Sequence, residues 1–502
     1  MYRSGSYIRV VPMPRDYRNV KVNVKARSFV KKKQPVKRGD VIMSSRPFCW
    51  LVDSSLAGQY CEYCLGSFRK DRILTRCSDC YRAWYCSRMC RDLAEPLHRK
   101  ECEIFRRRPE FKPRDTARFL ARLICKLRDG GDEISEKVDD RRSRSFKDLM
   151  SHFREIKQDR RQLRYLREMM PDLKVLLGEG NLPDHSTLVT IYGKVNVNSF
   201  CLLDDHLTPI GTSIYLAASV FDHSCVANAF VSFIGNRLVI RSLVDWLDLD
   251  LNLVRISYID SMNTRAYRQL YLKEHYFFLC DCRICKDDQY DRMMSTVACG
   301  SPNCENPVYI NEKSSADLGP CSACGFSDWQ EDLRQDYKCA AVLARNKLQD
   351  LDENHPDFEV WREVVDQQGD MFHPLNILRA KSLDALLTAT INLRGWLTAL
   401  GIARKNHSAI RHYYGPKHPT YGLFLLKLAK IESNNLEWDS ALQHLKESEE
   451  ILESGLGSNH PLFYSEFSWL IIQASEESKV KIQRSIMYGG TLKASFADRA
   501  RS

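Results

Sequence analysis

The spacing of hydrophobic positions changes along the chain and divides it into blocks. In residues 1–60, Asp40-Val41-Ile42-Met43 and Phe48-Cys49-Trp50-Leu51-Val52 are apolar runs bounded by turn residues, which predicts short strands. In residues 103–190 the period becomes helical. Phe119, Leu120, Leu123, Ile124 and Leu127 line one face, and Gly130-Gly131 breaks the run. Phe146, Leu149 and Phe153 predict the next helix, and Pro171 predicts the end of a further one. Residues 191–260 return to strands and turns, with strands over Leu238-Val239-Ile240 and Val254-Arg255-Ile256-Ser257-Tyr258. Residues 331–502 are helical again. Gly415-Pro416-Lys417-His418-Pro419 recurs as Gly457-Ser458-Asn459-His460-Pro461, 42 residues on. Phe424, Leu425, Leu428 and Ile431 form one helix face between them, and Trp438, Ala441, Leu442 and Leu445 a second, so each repeat holds two helices.

Length and charge bound this picture without sharpening it. The 502 residues allow three or four domains with a large core. The net charge is +11, with basic runs at 27–38, 106–108 and 141–144. Such runs face nucleic acid or an acidic partner, or are plain solvated surface. No element carries a patterned recognition helix, which argues against direct DNA binding. No apolar core of a signal peptide follows Met1, and no apolar run approaches ~18 residues, so neither secretion nor a membrane partner is expected.

The nineteen cysteines carry the chemistry. An odd number does not suit a secreted disulfide framework, and reduced, zinc-bound thiols in nucleus or cytosol are the better account. The densest pattern is Cys61-x2-Cys64, Cys77-x2-Cys80, Cys86-x3-Cys90 and His98-x3-Cys102. Eight ligands make two four-coordinate sites. His98 and Cys102 stand at i and i+4, on one helix face. A unit this small buries little core, so the metal supplies its folding energy. Tyr81, Trp84 and Tyr85 either line a peptide groove or form the finger's own core.

A second pattern runs from Asn198 to Cys285. It contains Asn198-Ser199-Phe200, Asp222-His223-Ser224-Cys225, Ile256-Ser257-Tyr258 and Phe278-Leu279-Cys280-Asp281-Cys282-Arg283-Ile284-Cys285. Three thiolates cannot fill a tetrahedral zinc site, and Cys225 is the natural fourth. One ion would then bring His223, Tyr258 and Phe278 into one pocket. A third pattern, Cys299-x4-Cys304 with Cys321-x2-Cys324, has the two-pair form of a zinc ribbon, with Pro302, Gly319, Pro320 and Gly325 supplying turns. Cys49, Cys125, Cys201 and Cys339 remain and are expected to be buried small apolar residues.

These motifs together resemble the SET-and-MYND (SMYD) family of protein-lysine methyltransferases. The resemblance implies an α+β chain. A SET β-fold begins in 1–60 and continues as a core over 191–260. A MYND zinc finger (61–102) and a helical insertion (103–190) interrupt it. A zinc-bound post-SET segment with the ribbon (261–330) and a tetratricopeptide-like (TPR-like) helical domain (331–502) follow. It implies that the finger's sites interleave, with Cys61, Cys64, Cys86 and Cys90 on one ion and Cys77, Cys80, His98 and Cys102 on the other. Cys225, Cys280, Cys282 and Cys285 correspond to the post-SET ligands. Asn198, Asp222, His223, Tyr258, Phe278 and His152 correspond to residues around S-adenosylmethionine, and Tyr258 also to the catalytic tyrosine. Phe278 and Tyr215 would wall the lysine channel. The implied partners are a protein substrate such as a histone, chromatin, and a proline-containing peptide on the finger, with the protein a monomer. Three departures stand against it. With Pro35-Val36-Lys37-Arg38-Gly39-Asp40 aligned to the family's turn, the cofactor-cradling Gly-x-Gly falls on Arg27 and Phe29. Asp222 replaces an Asn, and Leu251-Asn252-Leu253 replaces Gly-Glu-Glu. They support an alternative: a zinc-stabilised interaction scaffold whose catalysis has lapsed.

Overall fold

A computed structural model describes residues 35–68, 73–311, 318–352 and 355–480. Arg27 and Phe29 lie outside them. The chain forms two compact units, one ending at Lys286 and one beginning at Asp287.

The first unit opens with β1 (Val41–Ser45) and β2 (Cys49–Val52). The finger follows, with β3 (Thr75–Arg76), β4 (Trp84–Tyr85) and α1 (Arg88–Arg107). Next come α2 (Asp115–Arg128), β5 (Ser135–Lys137), β6 (Ser143–Ser145), α3 (Phe153–Gln158), α4 (Arg160–Leu177) and α5 (His185–Asn198). The strands then resume as β7 (Ser199–Leu203), β8 (Pro209–Ile214), β9 (Asp222–His223), β10 (Ala229–Ile234), β11 (Arg237–Ser242) and β12 (Arg255–Ile256). Two short helices close the unit, α6 (Arg265–Tyr276) and α7 (Arg283–Lys286).

Two three-stranded antiparallel sheets form, ordered β1-β11-β10 and β2-β8-β7, and β9 pairs with β12 in parallel. The unbroken apolar run of β2 has a simple cause. Cys49 and Leu51 face a helical core with Leu120, Leu123 and Ile124, whereas Trp50 and Val52 face a sheet core with Leu202, Ile210 and Ile240. A strand buried on both faces has no polar side to alternate with. Gly211 allows β8 to lie against β2, because a Cβ there would stand 2.0 Å from the Leu51 carbonyl oxygen.

Several expected elements differ. Residues 191–198 are not strand but the end of α5, although Thr187, Val189, Thr190, Ile191, Val195 and Val197 are β-branched. Asp184 caps α5 by accepting from the Ser186 and Thr187 N–H groups at 3.0 and 3.1 Å, and tertiary burial outweighs a propensity difference of tenths of a kcal/mol per residue. Pro171 does not end a helix but sits inside α4. An internal proline costs about 3 kcal/mol. Leu166, Met169, Leu173, Leu176 and Leu177 are buried along the same helix, each worth about 1.5–3 kcal/mol, so burial prevails. Phe146 and Leu149 belong to a 3₁₀ turn after the β5–β6 hairpin, and the helix starts at Phe153. The Val254–Tyr258 run pairs only over β12.

The second unit contains α8 (Asp288–Met293), β13 (Thr296–Val297), β14 (Val308–Tyr309) and the helices α9 (Leu333–Gln349), α10 (Phe358–Gln368), α11 (Ile377–Asn392), α12 (Trp396–Tyr414), α13 (Pro419–Asn434) and α14 (Trp438–Leu456). The 42-residue repeat has a structural meaning. Gly415 and Gly457 end α12 and α14 at φ 90° and 89°, where a Cβ would be strained. His418 and His460 then accept the N–H of the residue two positions on, at 3.2 and 3.3 Å, with proline following each.

Candidate metal clasps and an aromatic pocket

Four sets of side chains converge so that their ligand atoms lie within 4.8 Å of one another: Cys61, Cys64, Cys86 and Cys90; Cys77, Cys80, His98 and Cys102; Cys225, Cys280, Cys282 and Cys285; and Cys299, Cys304, Cys321 and Cys324. A tetrahedral zinc ion implies edges of about 3.8 Å between sulfurs and about 3.5 Å between sulfur and imidazole nitrogen. The structure has 3.6 Å for Cys64–Cys86, 3.7 Å for Cys77–Cys102, 3.4 Å for Cys80–His98 Nε2, and 3.9 and 3.6 Å from Cys225 to Cys280 and Cys285. A disulfide would need about 2.05 Å. The soft, closed donor sets fit zinc in a structural role.

The finger is fixed to the rest of the unit through one of its ligands. His98 turns Nε2 to the thiolates and Nδ1 to Glu101 Oε1 at 3.2 Å. Glu101 is buried and also accepts from Arg118 Nη2 (3.2 Å) and Arg122 Nε (3.1 Å). Arg122 reaches on to the Trp50 carbonyl (3.0 Å) and Glu62 (3.4 Å). Burial alone would raise the Glu101 pKa, but Arg122 and Arg118 hold it well below the usual carboxylate range. The carboxylate therefore stays charged and orients the imidazole, as outer partners of metal-bound histidine do. None of these partners stood out in the sequence beforehand. The available signal was Arg118 and Arg122, four apart inside the apolar stripe of α2. In the finger Tyr85 is core, Trp84 is half-buried, and Tyr81 is exposed at φ 56°.

The Cys225 cluster ties β9 to the loop after α6. Gln269 on α6 makes a reciprocal amide pair with Cys280, donating to its carbonyl at 2.6 Å and accepting from its N–H at 3.0 Å. Arg268, fully buried, donates to the Ile284 carbonyl at 3.3 Å and faces Cys285 Sγ at 3.7 Å. Its positive charge offsets part of the negative charge of four thiolates.

A cluster of aromatic rings follows from this clasp. Buried His223 accepts the Tyr258 N–H on Nδ1 at 3.0 Å, and its Nε2 lies 3.3 Å from Cys225 Sγ. Tyr258 donates its hydroxyl to the Phe221 carbonyl at 2.5 Å. Its ring centre is 5.3 Å from His223, 4.8 Å from Tyr276 and 6.4 Å from Phe278, which packs edge-on. Tyr276 is a residue of this cluster that the sequence reading missed, and burial pushes its phenol above the usual range. Asn198 ends α5, and its amide donates to the Met150 and Lys194 carbonyls at 2.9 and 2.8 Å. His152 adopts φ 46° and packs at a tilt of 32° against Phe277, ring centres 4.9 Å apart, its pKa lowered by burial. Asp222 is exposed. Tyr215 is no channel wall. It is fully buried between Phe200 and Phe233, with its hydroxyl on the Asn236 carbonyl at 2.6 Å. Of the remaining cysteines, Cys49 is buried, with burial pushing its thiol up to about 12, and Cys125 is half-buried. Cys201 and Cys339 are exposed, contrary to expectation, because β7 and α9 turn those positions outward.

No helix among the described residues is long and apolar enough to cross a membrane. The family model of the MYND finger matches residues 61–102. The chain is 27% identical over 434 residues to the histone-lysine N-methyltransferase SMYD3 of Homo sapiens, covering 85% of this chain and 91% of the relative. It is 26% identical over 441 residues to the N-lysine methyltransferase SMYD2 of Bos taurus (85% and 92%), and 24% over 455 residues to the histone-lysine N-methyltransferase ASHR1 of Arabidopsis thaliana (88% and 92%). With the finger matched and its eight ligands converged, the chain carries a MYND finger and is similar, over about 85% of its length, to SET and MYND domain-containing (SMYD) lysine methyltransferases.

Proposed function

We propose that the protein is an S-adenosylmethionine-dependent protein-lysine N-methyltransferase whose chamber is the pocket of His223, Tyr258, Tyr276 and Phe278. The strands of the first unit act as its SET-type core and the C-terminal helices as a TPR-like array. The observation that carries this reading is the bonding of Tyr258. Its N–H is held by His223 and its hydroxyl donates to the Phe221 carbonyl, which fixes the phenol beside the rings of His223, Tyr276 and Phe278, where its oxygen can orient an amine.

S-adenosylmethionine supplies an electrophilic methyl group when bound. The residues that would hold it are Asn198, Asp222, His223, Phe278 and His152. Aromatic faces suit its sulfonium cation, and the Asp222 carboxylate suits its ammonium group. Tyr258 orients the lysine amine. The aromatic walls exclude water, and a dry wall disfavours the ammonium form, so the amine is presented neutral. The substrate is a protein lysine, with histone or non-histone proteins in nucleus or cytoplasm as the class, and the finger holds a proline-containing peptide. The competing reading is a scaffold without catalysis, favoured by Asp222 where the family carries an amide.

Titration calorimetry with S-adenosylmethionine divides the two. Binding, with methyl transfer to protein that disappears in Tyr258→Phe, is the expected result. No heat at millimolar cofactor would overturn the enzyme reading and leave the scaffold.

A further inference from the structure

We infer that Cys299, Cys304, Cys321 and Cys324 hold a zinc ion of their own, and that this ion locks a small ribbon onto the start of the C-terminal helices as their cap. The inference does not depend on methyl transfer. It concerns only the second unit.

The thiols are placed for a metal and not for each other. Cys299–Cys324 is 3.5 Å and Cys304–Cys321 is 3.8 Å, close to a tetrahedral edge and far from a bond. Each pair sits in a turn that aims both sulfurs the same way. The Gly325 N–H donates to the Cys321 carbonyl at 2.8 Å, and Gly325 has φ 75°. The Cys304 N–H donates to the Ser301 carbonyl at 3.1 Å. The two turns interlock, since a Cβ on Gly300 would meet the Phe326 ring at 2.4 Å.

The ribbon cannot stand on its own packing. Its strands β13 and β14 pair over two residues each, and a lone two-stranded hairpin is marginal in water. What it does bury is shared with the helices. Val297, Val308, Ile310 and Cys321 pack with Tyr337, Ala340 and Ala341 of α9 and with Phe372.

Backbone bonds then latch the ribbon to the segment before α11. The Ala298 N–H donates to the Met371 carbonyl at 2.9 Å, and His373 Nε2 donates to the carbonyl of Glu305, next to Cys304, at 3.0 Å. Asn376, fully buried, caps α11 and donates from its amide to the Thr296 carbonyl (2.9 Å) and to the Tyr337 hydroxyl (3.1 Å). The Ile377 N–H donates to the Met294 carbonyl at 3.0 Å. The first helices of the unit therefore pack on this segment, and Asn376, which caps α11, is held by the segment's Thr296 carbonyl, while the described strands of the segment pair over two residues each and its four sulfurs converge. A stack of helix pairs needs such a terminal cap. Here the cap is set by metal.

The test uses the intact chain purified with zinc. Metal analysis is expected to give four zinc ions per chain, one for each converged set. Cys324→Ser removes an exposed ligand and leaves no hole in the core, and is expected to leave three. Its hydrogen exchange should rise roughly tenfold or more over Thr296–Val297, α9 and the start of α11, with β9 and β12 unchanged. Cys339→Ser, an exposed cysteine outside the set, should still give four. Three zinc ions in the unaltered chain, iron in place of the fourth, or four in Cys324→Ser would overturn the metal site. Loss of one zinc with unchanged exchange at α9 and α11 would overturn the cap.

Discussion

The N–H of Tyr258 donates to Nδ1 of His223 at 3.0 Å, across the two-residue parallel pair of β9 and β12. The same His223 lies against Cys225. The position of the tyrosine ring is therefore tied, through one imidazole, to the metal clasp, and loosening the clasp moves the hydroxyl.

Tyr258→Phe removes only that hydroxyl. Methyl transfer should fall by about 100-fold or more, the usual size for a lost polar group at a reacting centre. Stability should change by only about 1 kcal/mol, the net value of one hydrogen bond. Calorimetric affinity for the cofactor should stay near that of the unaltered chain. Equal loss of transfer and of folded protein would show that the residue acts through the fold.

Glu101→Gln keeps the shape and removes the charge that Arg118 and Arg122 share with His98. Leaving buried cations unbalanced should destabilise the first unit by about 3–5 kcal/mol. Zinc affinity at the His98 site should fall about 10- to 100-fold, because the imidazole loses its outer partner. Urea unfolding and chelator competition measure the two effects separately.

In the second unit Lys430 pairs with Glu466, both largely buried. Burial lowers the Lys430 pKa to about 8 against the pull of Glu466. In the folded state it loses its proton near pH 8, whereas the unfolded chain holds it to about 10.4. Between these values the unfolded state binds more protons, so this group makes stability rise with pH. The full effect is on the order of 3 kcal/mol. Urea unfolding at pH 8 and pH 9.5 should show a steeper rise in the unaltered chain than in Lys430→Met, and equal slopes would refute the assignment.

Gly193 lies where α5 meets the turn before α3, and a Cβ there would stand 2.0 Å from the Ser151 carbonyl oxygen. Gly193→Ala should cost about 1–3 kcal/mol and lower the melting temperature by several degrees. It should also displace His152 from Phe277. Gly180→Ala, with nothing within 4 Å of the added carbon, is the matched control and should be neutral.

What could be read directly from the residues was whatever is encoded over a few positions. Cysteine and histidine spacing located the donors of the finger and the ribbon, because a metal site requires its donors in tight turns or on one helix face; the interleaving of the finger's two sets followed from the family resemblance, and Cys225 from the need for a fourth ligand. The Gly-x-x-His-Pro repeat marked helix ends, because a left-handed stop and a side-chain cap are local devices. The long-range choices were settled by packing. Residues 191–198 are helical despite their β-branched composition, and Pro171 is tolerated within α4, because buried area outweighs local preference. The Glu101–Arg122 network, the arrival of Tyr276 beside Tyr258 and the joining of the ribbon to α9 depend on partners distant along the chain, which no short spacing records.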